Sequence, residues 1–148
     1  MKIEIDQSGK IENTGKDTII AFSNGIFGSI IISAKDKREI QKVFRQAGKS
    51  RIFVYKLFSV LIFILIKPHL NKINEIVIDM EYPGKSAVIK DFLLREIRKA
   101  NQKFQKENIS FGNIGKKSGA HQIAYKAFKK KNKADKTVLA KDILKNLL

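Results

Sequence analysis

The chain has no cysteine at any of its 148 positions. That excludes a disulfide scaffold and any thiolate metal site, and it fits a cytoplasmic protein. Histidine occurs twice, too seldom for a histidine-rich zinc centre. Acids are scarce beside bases: fourteen Asp and Glu face thirty Lys and Arg. No P-loop, dinucleotide fingerprint, zinc-finger spacing or Gly-x-Ser-x-Gly elbow is present. The one membrane-like run, residues 57–66, lies between Lys56 and Lys67-Pro68. It falls well short of the roughly 20 residues a spanning helix needs, so a buried core element is expected. A secretory signal is not expected either, because Met1-Lys2-Ile3-Glu4-Ile5-Asp6 reads as a strand from the outset.

What is present in excess is positive charge, a formal +16 with a pI near 10.1. Such an excess favours a polyanionic partner, most often nucleic acid. A merely lysine-rich surface is the bland alternative. A membrane-surface role is disfavoured because no basic amphipathic segment is free of core duties. Residues 113–148 hold ten lysines and two aspartates, net +8, half of the chain's excess. Hydrophobic content of 43% suits a globular protein. The length suits one domain, residues 1–148, with a basic C-terminal helical extension from about 129.

Short strands dominate the first third. Ile3 and Ile5 alternate before a Ser8-Gly9 turn, residues 17–22 form a second strand, and residues 27–32 a third. Asn24-Gly25 between the last two is a hairpin signal. Ser33 with Asp36 resembles a capping box for a helix that ends at Gly48. A second, nearly all-apolar helix is expected from about Ile52 to Ile66. Ile76, Val77 and Ile78 suit a strand buried on both faces, and a helix follows from Ser86. Residues 109–112 read as a fifth strand, a helix follows Ser118, and Thr137 is expected to cap a last one. A meander followed by strand–helix alternation predicts a mixed α/β sheet of five strands, three antiparallel and then parallel, flanked by helices. Placing the 75–79 strand beside the first brings Asp6 and Asp79 out at the same sheet edge.

This order of elements, with acids ending the first and fourth strands, resembles the ribonuclease H-like fold over about residues 1–131. Asp6-Gln7-Ser8-Gly9 resembles the Asp-x-Ser-x type turn after that family's first catalytic aspartate. Asp79-Met80-Glu81 with Tyr82-Pro83-Gly84-Lys85 resembles the strand-four acid of the Holliday-junction resolvase branch. Residues 118–124 occupy the start of the final helix, with His121 where an Asp or His is used. No acid lies between Ser118 and Lys133, a departure from full ribonucleases H.

The resemblance implies a nuclease, a hydrolase of phosphodiesters in branched DNA or an RNA-containing duplex, that uses Mg²⁺ or Mn²⁺. Asp6, Asp79 and His121 would hold metal, Glu81 would assist, and His121 could instead shuttle protons. Glu39 is a weaker candidate for a helix-borne acid, and His69 reads as a loop residue. Ser8, Lys85, Lys116, Lys117, Lys129 and Lys130 are candidates for gripping the backbone, without sequence readout. Tyr82 and Phe111 could stack on bases, although core packing is the default for both. The apolar 57–66 helix could contribute to a homodimer, which a resolvase would need. The alternatives are a non-catalytic nucleic-acid-binding protein on the same fold and a basic module for an acidic protein partner.

Overall fold

The computed structural model describes residues 1–115, 118–129 and 133–147. The proposed backbone-gripping residues Lys116, Lys117 and Lys130 lie outside these. The opening meander is present as expected: β1 (Lys2–Ser8), β2 (Thr18–Ser23) and β3 (Gly28–Ile32) pair antiparallel in sequence order. β4 (Glu75–Asp79) lies parallel to β1, and β5 (Ile109–Gly112) lies parallel to β4. The sheet has six strands rather than five, in the order β5-β4-β1-β2-β3-β6. The sixth, β6 (Lys136–Val138), runs parallel to β3. Thr137 therefore belongs to a strand instead of capping the last helix. Its neighbour Val138 is buried, while Asp135 bonds to both the amide and the hydroxyl of Ser29 and ties this segment to the sheet edge. Five helices accompany the strands among the described residues: α1 (Ala34–Gln46), α2 (Phe53–Ile66), α3 (Ser86–Ala100), α4 (Gly119–Phe128) and α5 (Ala140–Leu147).

Strand alternation divides the side chains between two unequal faces. Ile3, Ile5, Ile20, Phe22, Ile30, Ile32, Ile76 and Ile78 belong to the large core that includes α1, α2 and α3. α2 is the core helix of that layer. Residues Ser50–Lys72 are long and apolar enough to cross a membrane by length and composition alone, because 3₁₀ turns extend α2 at both ends. Here α2 packs on α3, β2 and β3 with Leu57, Phe58, Leu61, Ile62 and Ile66 buried.

The opposite face of the sheet is covered by α4. Its contact residues are small: Ala124 and Ala127 pack on Ile19 and Ala21. Alanines let helix and sheet approach closely, so short side chains can reach from one to the other. Ser118 caps α4 by accepting the Ala120 amide at 3.2 Å, and its hydroxyl donates to Glu4 on β1 at 3.4 Å.

Candidate metal centre

Register places the two aspartates. In the parallel β1–β4 pair Ile5 stands opposite Ile78, so Asp6 and Asp79 follow as the next residues on neighbouring strands. Ile5 and Ile78 point into the large core, and alternation turns both aspartates to the α4 face. Glu81 joins them through a tight three-residue turn in which its amide donates to the Asp79 carbonyl at 2.9 Å. A second turn follows at once. The Lys85 amide bonds to the Tyr82 carbonyl at 3.0 Å across Pro83-Gly84, with Gly84 at φ +81°. Proline then glycine at the central positions is what a type II turn demands. The two turns fold the segment after β4 back over the end of β1.

Asp6, Asp79 and Glu81 each offer an oxygen such that all three lie within 4.8 Å of one another. Two oxygens on opposite sides of one shared cation stand about 4–5 Å apart at the usual Mg²⁺ and Ca²⁺ distances. The donor set is hard oxygen, matching those ions and not zinc held by thiolates. A divalent cation therefore fits the residues present. Only 4% of Asp6 is exposed, and its carboxylate is oriented by two bonds. Oδ1 accepts the Gln7 amide at 2.8 Å, and Oδ2 lies 2.7 Å from Nδ1 of His121. With Asp6 ionised, the Nδ1-protonated imidazole is the form that satisfies this contact. Asp79 Oδ1 accepts the Ile114 amide at 2.9 Å.

Glu81 shows what the crowding costs. Burial first, then hydrogen bonding with Asp79 and the charges of Asp6 and Asp79, push its carboxyl up to about 8. At neutral pH without a cation Glu81 is accordingly a protonated donor between two carboxylates. A cation would replace that proton.

A buried clamp behind the acids positions them. Gln7 and Tyr82 are the residues that directly follow Asp6 and Glu81, and Gln7 Nε2 donates to the Tyr82 hydroxyl at 3.0 Å. The hydroxyl reaches Glu12 at 3.2 Å. Tyr82 packs edge-on against Tyr55 and Phe58, and burial raises its phenol well above the ordinary range. It is a core residue, as is the half-buried Phe111 at the margin of the same core. Sequence pattern gave no sign of this clamp, because side-chain pairing across 75 residues leaves no local periodicity.

A second feature missed in the sequence is Lys37, which is fully buried on α1. Its ammonium donates to the carbonyls of Lys10 and Asn13 and to the Thr18 hydroxyl at 2.9–3.2 Å. Burial lowers it to about 8, against the opposing pull of Asp17 and Glu12. All three of its donors are used, which fixes the segment between β1 and β2.

The remaining candidates are dispersed. His121 enters the centre through Asp6, and its ring lies nearly parallel to Tyr125 at 6.2 Å. Ser8 is half-buried at the end of β1, two residues along the strand from Asp6. Lys85 is exposed over the Tyr55 ring beside the Glu81 turn, and Lys129 is exposed at the end of α4 over Tyr125. Glu39 is an exposed residue of α1, outside the cluster. His69 is more than a loop residue, because its half-buried ring tilts against Phe22 at 5.5 Å.

The fold and site together define a mixed α/β protein with a six-stranded sheet and a carboxylate cluster where parallel strands end. Comparison of the chain with protein-family models, curated proteins and solved structures gives no match.

Proposed function

We propose that the protein is a divalent-metal-dependent nuclease with ribonuclease H-like architecture, acting in the cytoplasm on structured DNA or an RNA-containing duplex. The observation that carries this reading is the convergence of Asp6, Asp79 and Glu81 within 4.8 Å in a chain of net charge +16. The strand order supports it: a meander extended on the β1 side by two parallel strands is the arrangement the family resemblance leads one to expect. Asp6, Asp79 and Glu81 would hold Mg²⁺ or Mn²⁺, which when bound would activate water and stabilise charge on the leaving oxygen. His121 orients Asp6 through Nδ1 and keeps Nε2 for proton transfer. Ser8 and Lys85, placed at the ends of the acid-bearing segments, are suited to contact the substrate backbone, as is the exposed Lys129 at the end of α4. Lys116, Lys117 and Lys130, proposed for the same role from the sequence, lie outside the described residues.

One observation favours a second reading, a nucleic-acid-binding protein without cleavage. α4 carries no carboxylate, so among the described residues the cluster has three acids and none from the helix that covers it. Cleavage assays on junction, flap and hybrid substrates separate the two. The nuclease reading expects Mg²⁺-dependent cleavage that D6N and D79N each reduce by at least a hundredfold, with binding in EDTA nearly unchanged. Cleavage unaffected in both variants would sink the site assignment, and no cleavage by wild type would favour the binding reading.

A further inference from the structure

Among the described residues two aromatic rings are exposed, Tyr125 at 44% and Phe27 at 66%. Tyr125 has partners in its own helix, His121 at 6.2 Å and the Lys129 ammonium at 5.8 Å from its centroid. Phe27 is different. It ends the connection between β2 and β3, just before the last pair of that ladder, Phe22 with Gly28. Its ring forms a wall of two crevices. The larger, about 440 Å³, lies between the start of β3 and the flank of α4 that bears Gly119 and Ile123. The smaller, about 150 Å³, opens toward Pro68 and His69.

The walls combine apolar surface with positive charge. Lys126 and Lys133 line the larger crevice, and Lys136 lines the smaller. Among the described residues of the wall the one acid is Asp135, and it is engaged with the strand edge: its Oδ2 accepts the Ser29 amide at 3.0 Å, and its own amide donates to Ser29 Oγ at 3.2 Å. Gly119 keeps the ring close to α4, because a Cβ there would stand 3.4 Å from Phe27 Cε1 and 2.9 Å from Ser23 Oγ. A larger residue would push the hairpin and helix apart.

An exposed ring bordered by ammonium groups matches a planar heterocycle carried on a phosphate chain. The larger crevice is within the size range of small-ligand sites, whose lower end is about 300 Å³. We infer that the Phe27 crevice binds an unpaired nucleotide of a nucleic-acid strand, with its base stacked on Phe27 and its flanking phosphates on Lys126 and Lys133. The inference rests on the proposed function for the kind of partner, and not for cleavage. It also narrows the substrate class. His121 of the metal centre and Gln122 of the crevice are successive residues of α4, so one helix separates the two sites. A substrate with an unpaired arm beside a duplex, such as a flap or fork, can occupy both.

The chain contains no tryptophan, so F27W introduces a single indole reporter at an exposed position. The test titrates the full chain with oligothymidylate in EDTA, where no cleavage occurs. Quenching of the F27W indole by oligothymidylate, and none by an abasic strand of equal length, is expected. F27A is expected to lower oligothymidylate affinity by about tenfold or more at an unchanged melting temperature. K126A/K133A is expected to reduce the slope of log affinity against log salt by about 1 to 1.5. Equal affinity of F27A and wild type, or unquenched F27W in a folded protein, overturns the inference. So does Phe27-dependent binding of polyglutamate without binding of oligothymidylate, which would assign the crevice to an acidic protein. Because D6N is expected to leave all these signals intact, a failed nuclease reading and a failed crevice are told apart.

Discussion

Glu81 is held where two other carboxylates already stand, and it keeps its proton to remain there. Its folded-state value of about 8 lies above its ordinary 4.5. Stabilisation tied to the protonated form is thus complete below about 4.5 and is lost as pH rises through about 8. In E81Q the neutral amide removes this dependence. The metal-free variant is expected to be the more stable one at pH 8, by on the order of 2 kcal/mol, a figure kept below full linkage because half-exposed Glu81 is screened by solvent. Thermal melting in EDTA at pH 5 and pH 8 measures the gap; a wild-type stability that does not fall over that range would contradict it. The same proton competes with metal, so cation affinity should rise across the same window. Asp6, by contrast, is fixed by donors from its neighbour Gln7 and from His121. Behind both acids the Gln7–Tyr82 bond keeps the two chain segments in contact.

At the scale of elements, α4 decides whether His121 reaches Asp6. The helix lies close to the sheet because Ala124 and Ala127 meet Ile19 and Ala21. A124L is expected to overpack this layer at a cost of about 1–3 kcal/mol. It should lower the melting temperature by several degrees and lengthen the His121–Asp6 contact. The imidazole resonances of His121 report that contact by NMR, and an unchanged chemical shift in a folded A124L would show that α4 does not position the histidine.

The strands were legible in the sequence because alternation, β-branched runs and turn residues act locally. The strand at 75–79 and its pairing with the first illustrate it, although Ile76–Ile78 alternate in burial, with Val77 half-buried, instead of being covered on both faces. The proximity of Asp6 and Asp79 followed from that single topological step. β6 was not legible: three residues in a lysine-rich stretch carry no period, and their pairing is fixed by Asp135 and Ser29 across 106 positions. The same holds for buried Lys37, whose partners are backbone carbonyls that no side-chain pattern reveals. The apolar pattern of residues 27–32 places Phe27 in the third strand, whereas β3 begins at Gly28 and Phe27 is an exposed loop-end ring.

At the scale of the whole molecule, one face of the sheet stores stability and the other presents chemistry. α2 and its neighbours bury most of the apolar surface, whereas the α4 face carries Asp6, Asp79 and His121. Among the described residues, Lys2, Arg95 and Lys99 pair with a carboxylate through exposed side chains. Such pairs contribute little to stability, and the formal charge of the chain is +16. Within that excess of positive charge, two strand ends and a turn bring Asp6, Asp79 and Glu81 within 4.8 Å of one another. Calorimetric titration of Mn²⁺ into wild type and the folded D6N/D79N variant at pH 7 tests whether these carboxylates hold a cation. Wild type is expected to bind Mn²⁺ with release of up to about one proton, read as a dependence of the heat on buffer ionisation, and the variant to show neither signal. Equal Mn²⁺ uptake by both proteins would show that Asp6 and Asp79 do not hold the cation.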